Sequence, residues 1–120
     1  TTARYGQLDD IAWYTDNSGG VPHPVGKKSA NAYGLFDMLG NSWEWAWDIE
    51  DFNTAFAGKM TDPINGGLKQ EDESKSRMLR GGGYDTNKIY VRAAHRYQYL
   101  PGSGDARYGF RPVRTILAKK

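Results

Sequence analysis

No stretch of this chain can make a long helix. Its best windows are broken by glycine or carry β-branched and aromatic residues at strand-like spacing. Fifteen glycines and five prolines punctuate 120 residues, so the chain must build from short strands and tight turns. It must also hold them without covalent staples, because it contains no cysteine. Disulfides, thiolate metal sites and cysteine nucleophiles are thereby excluded for these residues. Hydrophobic residues make up 38% and the mean hydropathy is -0.74. Rings, at 13%, therefore supply much of the area that can be buried. The expectation is one modest core and a single domain over residues 1–120. No apolar run approaches the length of a membrane span, and no signal-like segment stands at the Thr-Thr-Ala start, which reads as trimmed or processed.

Turn chemistry divides the chain. "DNSGG" and "VPHPVG" punctuate the first thirty residues, and "DPINGG" with "KQEDESKS" makes 49–76 a polar excursion, expected to be mobile at its tip. Three strand-like pieces follow, "RMLRGGGY", "IYVRAAHRYQYL" and "YGFRPVRTIL".

The net charge of +2 conceals a split: residues 48–73 carry seven acids against two lysines, and 77–114 carry eight bases against two acids. These read as solvated faces of opposite sign, and the basic excess is too small and dispersed for a nucleic-acid surface. Arg80, Arg92, Arg96 and Arg111 stand among glycines and aromatics rather than in a basic run. They read as framework arginines, pairing inward with carboxylates or carbonyls.

The densest chemistry lies in "GLFDMLGNSWEW", residues 34–45. Asp37 and Glu44 flank a Gly40-Asn41 turn, and Trp43 and Trp45 straddle the second acid. Calcium takes carboxylate and backbone carbonyl oxygens together in a loop that wraps the ion. Glycine in the turn lets carbonyls point inward, and the tryptophans would anchor the loop. The other reading is a salt-bridged turn in which both acids accept from arginines or backbone amides.

"NAYGLFDMLGNSWEWAWD", "RMLRGGGY", "RAAHRY" and the terminal "GFRPVR", preceded by "IAWYTDNSGGVPHPVGKKSANAYGL", closely resemble the formylglycine-generating-enzyme (sulfatase-modifying factor) family over most of residues 5–114. That resemblance implies an α+β, C-type lectin-like fold of the formylglycine-generating-enzyme type, low in regular secondary structure, here with a shortened N-terminal part. It implies a calcium site made by the side chains of Asp37 and Glu44 and the carbonyls of Gly40 and Ser42. It also implies a second calcium site from Asp10, the Ile11 carbonyl, Asn17 and the Gly19 carbonyl, against which stands a plain Asx-turn at Asp16-Asn17 leading into Gly19-Gly20.

The sequence departs from the family pattern twice. Catalytic members use a cysteine pair in the "RGGS…R" region to bind copper and activate oxygen. Here that region reads "RGGGYDTNKIYVRAAHRY", with Thr86 roughly at the first cysteine's place, so formylglycine generation by that route is excluded. The sulfoxide-synthase branch takes its iron-binding histidines from another domain. Family domains also carry an N-terminal portion ahead of the "AWY" segment, so this chain is expected to be a minimal version, or a piece completed by a partner chain or a second copy.

Residues 84–108 form the candidate contact surface: Tyr84, Asp85, Asn87, Tyr90, His95, Tyr97, Tyr99, Ser103, Asp105 and Tyr108 interleave with framework residues. Tyrosine buries area at low entropic cost while keeping a hydrogen-bonding tip. The corresponding region faces ligand in lectin-fold relatives, and in one subset it is varied by diversity-generating retroelements. A tyrosine-rich core serving packing alone is the other reading. His23, between Pro22 and Pro24, reads as an exposed loop residue, and His95 as a packed, hydrogen-bonded histidine beside the surface. Three functions are thus in view. The first is a non-catalytic, calcium-stabilised module that binds a protein or small-molecule ligand, with no nucleic acid and no membrane span. The second is a cysteine-independent oxidative enzyme or subunit related to siderophore-maturation proteins. The third is a truncated family remnant that needs a partner.

Overall fold

The computed structural model describes residues 6–49 and 74–113. The polar excursion expected over 49–76, with most of the acidic segment, lies outside the described residues apart from its ends. Among the described residues regular structure is sparse, as the glycine content leads one to expect. A single helical turn, α1 (Leu8–Ile11), is followed by β1 (Trp43–Ile49), β2 (Arg77–Arg80), β3 (Tyr97–Tyr99) and β4 (Tyr108–Gly109). The strands form one mixed sheet in the order β3-β2-β1-β4. β1 and β2 are antiparallel, as are β2 and β3, whereas β4 runs parallel to β1. No helix among the described residues is long and apolar enough to cross a membrane.

β1 begins inside the opening motif. It carries Trp43, Trp45, Trp47 and Ile49 at alternate positions, with Trp47 exposed. Only its ends are buried, Trp43 at 6% exposure and Ile49 at 5%. Between Trp45, paired with Leu79, and Ile49, paired with Arg77, the register slips in a bulge. Such bulges bend and twist a strand. Met78 and Leu79 of β2 are the most deeply buried large side chains, which places the middle of the sheet at the core.

The long irregular lead-in packs as a second layer. Ala12, Tyr14 and Val91 form a buried cluster with Leu8, Ile11 and Leu39 against it. His23 departs from its expected exposure: it is half-buried, stacks on Trp13 with centroids 3.7 Å apart, and its Nε2 lies 2.8 Å from the Ser18 carbonyl. Proline on both sides fixes the backbone there, and the flat ring then finds a flat partner.

Of the three strand-like pieces, "RMLR" forms β2 as expected. The second yields only the three residues of β3. Its first half is spent on consecutive tight turns, with Tyr90 N bonding Asn87 O, Arg92 N bonding Tyr90 O, and His95 N bonding Arg92 O. Asn87 starts this run: its Oδ1 accepts from Ile89 N at 3.1 Å, the local bond by which Asn draws a backbone away from a ladder.

Candidate functional site

The loop 37–44 takes two residues into the left-handed region besides its glycines, Asp37 at φ 52° and Asn41 at φ 63°. Asn and Asp tolerate that conformation better than other side chains. Gly40, at φ 74°, has a further reason to lack a side chain, because a Cβ there would lie 2.2 Å from the Trp13 carbonyl oxygen. The backbone runs this close because Asn41 N donates to Trp13 O at 2.8 Å and Gly40 N to Gly81 O at 3.0 Å.

Asp37, Gly40, Ser42 and Glu44 all line one cleft, together with Arg111. Asp37 is 8% exposed. Its Oδ2 accepts from Gly26 N at 2.7 Å, while its Oδ1 is buried with no hydrogen-bond partner among the described residues. Glu44 is held by the guanidinium fork of Arg111, Nε to Oε2 at 2.9 Å and a terminal nitrogen to Oε1 at 2.5 Å. That same nitrogen reaches the Phe36 and Asp37 carbonyls, each at 3.0 Å. The hydrogen bond to Glu44 raises the Arg111 pKa, against burial, which lowers it. Glu44 is thus salt-bridged, as one reading of the motif expects, and Asp37 keeps a buried oxygen without a hydrogen-bond partner among the described residues. A hard cation would satisfy that oxygen, and the cleft-lining carboxylates are the donors such an ion takes.

The second proposed set is arranged differently. Asp10 is exposed on α1 and its backbone carbonyl accepts from Ser29 N at 2.8 Å. Asn17 closes the 12–17 loop on itself, its Oδ1 accepting from Tyr14 N at 2.9 Å and its Nδ2 donating to Ala12 O at 3.0 Å. Ile11 is half-buried against the Tyr14 cluster, and Gly19 sits in an open turn at φ 66°.

The 84–108 segment assembles rings. Buried Trp43 lies under His95 and Tyr97, with centroids 5.6 and 5.1 Å away, and Tyr90 tilts on His95 at 5.0 Å. Tyr108 meets Trp45 edge-on at 5.6 Å and Tyr99 at 5.4 Å. These separations suit attractive tilted and edge-to-face contacts. Tyr90, Tyr97 and Tyr99 nevertheless remain 40–47% exposed. The Tyr108 hydroxyl is buried and, among the described residues, without a partner of good hydrogen-bond geometry. Burial first, and the nearby Tyr97 next, raise its pKa.

A charged rim adjoins the rings. Arg107 forks onto Asp105 with two bonds of 2.7 Å, approaches Asp85 at 3.6 Å, and lies over the Tyr108 ring. Hydrogen bonds from Arg107 hold the Asp105 pKa down to about 2. Tyr84 is half-buried and anchored, its N donating to Asn41 O and its carbonyl accepting from Ser18 Oγ at 2.7 Å. Asn87 is exposed but occupied by its own turn. Sequence reasoning had not placed Arg107 or the floor residue Trp43 in this surface. The Asp-x-Arg spacing of "DARY", which lets Asp105 Oδ1 also accept from Arg107 N at 2.9 Å, was the available signal for the first.

A small mixed sheet short of helix, a tryptophan-bearing strand leaving a glycine-asparagine loop, and a glycine-rich strand end beneath a turn-built surface define a formylglycine-generating-enzyme-type fold. The chain belongs to the family described as the sulfatase-modifying factor enzyme 1-like domain, which matches residues 2–116. Among solved structures it is similar to Treponema denticola variable protein 1, with 33% identity, a TM-score of 0.66, and coverage of 86% of this chain and 35% of that one. It is also similar to PvdO from Pseudomonas aeruginosa, with 25% identity, a TM-score of 0.67, and coverage of 92% and 41%. Among curated proteins, a serine/threonine-protein kinase pkn1 of Chlamydia caviae is 38% identical over 78% of this chain, and the formylglycine-generating enzyme of Bos taurus 34% identical over 73%. The chain spans only 15% and 23% of the length of these two relatives. At Thr86, near the place where catalytic members would carry their first cysteine, the hydroxyl accepts from Gly83 N at 2.9 Å and closes a turn.

Proposed function

We propose that this domain is a non-catalytic, lectin-like binding module that takes a protein or small-molecule ligand on its 84–108 surface, and that calcium stabilises the loop below it. The observation that carries the reading is the ring array: Tyr90, Tyr97 and Tyr99 stay 40–47% exposed although Tyr97 packs on buried Trp43, Tyr90 on His95 and Tyr99 on Tyr108. Large rings packed on other rings yet half in water are the combination that recognition uses. Likeness to a protein named for its variability agrees with a surface of the retroelement-diversified kind. The turn made by Thr86 where the family's copper chemistry requires a thiolate agrees with a binding role.

Calcium would be held by Asp37 and Glu44 with the carbonyls of Gly40 and Ser42. The unpartnered Asp37 Oδ1 supports this. Glu44 would serve both Arg111 and the ion, since each carboxylate oxygen has two lone pairs. Bound there, calcium supplies charge that fixes the loop, with no part in bond chemistry.

The test of the surface is a fragment screen by NMR on the whole chain. Hits should cluster at Tyr90, Tyr97 and Tyr99, and a Tyr90→Ala, Tyr97→Ala double variant should lose them while its circular dichroism is unchanged. Hits scattered over the molecule would sink the assignment. For the loop, chelation should lower Tm and calcium restore it; indifference to both would count against the ion.

A further inference from the structure

The charged rim of the ring array leaves one gap unbridged. Asp105 takes two N–H groups of Arg107, on Nε and on Nη2, both at 2.7 Å. The other terminal nitrogen, Nη1, stands 3.6 Å from Asp85 Oδ2, too far for a good direct hydrogen bond. Among the described residues neither Nη1 nor the Asp85 carboxylate has another hydrogen-bond partner. The two side chains are 39% and 40% exposed, so a ligand can reach both.

Rings adjoin the gap on each side. The Arg107 guanidinium lies over the Tyr108 ring at 5.6 Å, and Tyr108 packs on Tyr99. On the other side, a Cβ added to Gly83 would lie 3.0 Å from the Trp43 ring and 3.4 Å from Asp85 Oδ1. Carboxylate and indole thus flank one glycine, and Tyr97 packs on that indole. Trp43 and Tyr108 are register partners across β1 and β4, which brings the two sides together on one face of the sheet.

Charge decides what fits between Asp85 and Nη1. An anion there would face the Asp85 carboxylate, and an ammonium would face the guanidinium. A hydroxyl suits both, because its oxygen accepts from Nη1 while its proton goes to the carboxylate. An oxygen about 2.8 Å from each group spans such a gap. A peptide group also donates and accepts, but its trans N–H and C=O point in opposite directions and cannot serve two partners on one side. The half-exposed rings ask in addition for a ligand with an apolar face. A saturated sugar ring joins the two requirements, with C–H groups on its face and hydroxyls around its edge.

We propose that the 84–108 surface takes a pyranose sugar, with one hydroxyl bridging Asp85 and Arg107 and the C–H face against the half-exposed tyrosines. This rests on the reading of that surface as a binding face.

The test is an NMR titration of the isotope-labelled whole chain with methyl gluco-, galacto- and mannopyranoside, with tetrahydropyran, the same ring without hydroxyls, and with N-methylacetamide. Shifts are read at the Arg107 Nε and at Tyr97, Tyr99 and Asp85. At least one pyranoside should bind about 10-fold or more tighter than tetrahydropyran. Asp85→Ala should bring that pyranoside down to the tetrahydropyran level with Tm unchanged, since the side chain is exposed and Arg107 keeps Asp105. Pyranosides that bind no better than tetrahydropyran, or that bind Asp85→Ala equally well, overturn the sugar subsite. N-methylacetamide binding tighter than every pyranoside overturns it in favour of a peptide. Either result leaves the binding face standing if any probe, or any hit of the fragment screen, shifts the rings. No shift at the rings in either experiment removes both.

Discussion

Asn41 holds His23 by both of its backbone groups: Oδ1 accepts from His23 N at 2.8 Å and Nδ2 donates to His23 O at 2.9 Å. The side-chain amide thus imitates one rung of a β-ladder, tying the lead-in to the loop beneath the sheet. Asn41 is 6% exposed and adopts φ 63°, so one residue supplies a left-handed backbone and two partly buried hydrogen bonds. Replacing it with Ala should cost about 2–4 kcal/mol, from the stranded His23 groups and the backbone penalty. Urea unfolding measures this, and a loss under about 0.5 kcal/mol would show that the clamp is ornamental.

Gly40 and Gly20 make a controlled comparison of two left-handed glycines. Both have positive φ, 74° and 77°, but a Cβ at Gly40 would meet the Trp13 carbonyl oxygen at 2.2 Å, whereas one at Gly20 would meet nothing within 4 Å. Gly20→Ala should therefore cost only the backbone term, about 1–2 kcal/mol. Gly40→Ala must push two backbone segments apart, and should abolish the near-ultraviolet dichroism of the packed tryptophans or prevent soluble expression. Similar losses at the two sites would mean that the close approach of Trp13 is not maintained in solution.

How much of this was legible beforehand depends on what each residue answers to. Glycine density and missing helical periodicity foretold short strands, because both act through local backbone freedom. The framework role of Arg111 was readable, since an arginine among glycines near an acid has few other uses. Arg92 and Arg96 were read the same way, yet among the described residues they have no acid to pair with. Only the fold decides which carboxylates come within reach. Strand β1 escaped notice because its alternation is carried by tryptophans around an acid, which draws the eye to ion chemistry. The Gly40 contact was hidden for a similar reason: it depends on Trp13, whose position no local pattern specifies.

Arg111 links the two acids of the opening motif, bonding Glu44 through two nitrogens and the Asp37 carbonyl through one. Lysine keeps the charge but cannot reproduce the fork. Arg111→Lys should lose about 1–3 kcal/mol of stability, measured in calcium-free buffer so that no ion compensates. On the proposed calcium site, Glu44→Gln should also remove most of the rise in Tm that calcium is expected to give. A Gln variant that still gains the full rise would show that Glu44 serves Arg111 alone.

Tyr14 provides a pH signature of the lead-in. Its hydroxyl donates a short hydrogen bond to the Asp9 carboxylate. That bond, then burial, then the charges of Asp9 and Asp16 raise its pKa from 10.0 to about 12. The folded state therefore holds the phenolic proton more tightly than the unfolded chain does. The stabilisation is fully present below the unfolded value and declines as pH rises from about 10 to about 12. Urea midpoints of wild type and Tyr14→Phe should consequently converge across that interval, with wild type the more stable at neutral pH. The phenolate absorbance of the native protein should show a late-titrating tyrosine that the Phe variant lacks. Parallel pH profiles for the two proteins would mean that Asp9 does not hold the hydroxyl in solution, and that α1 is not fastened to the Tyr14 cluster through its side chains.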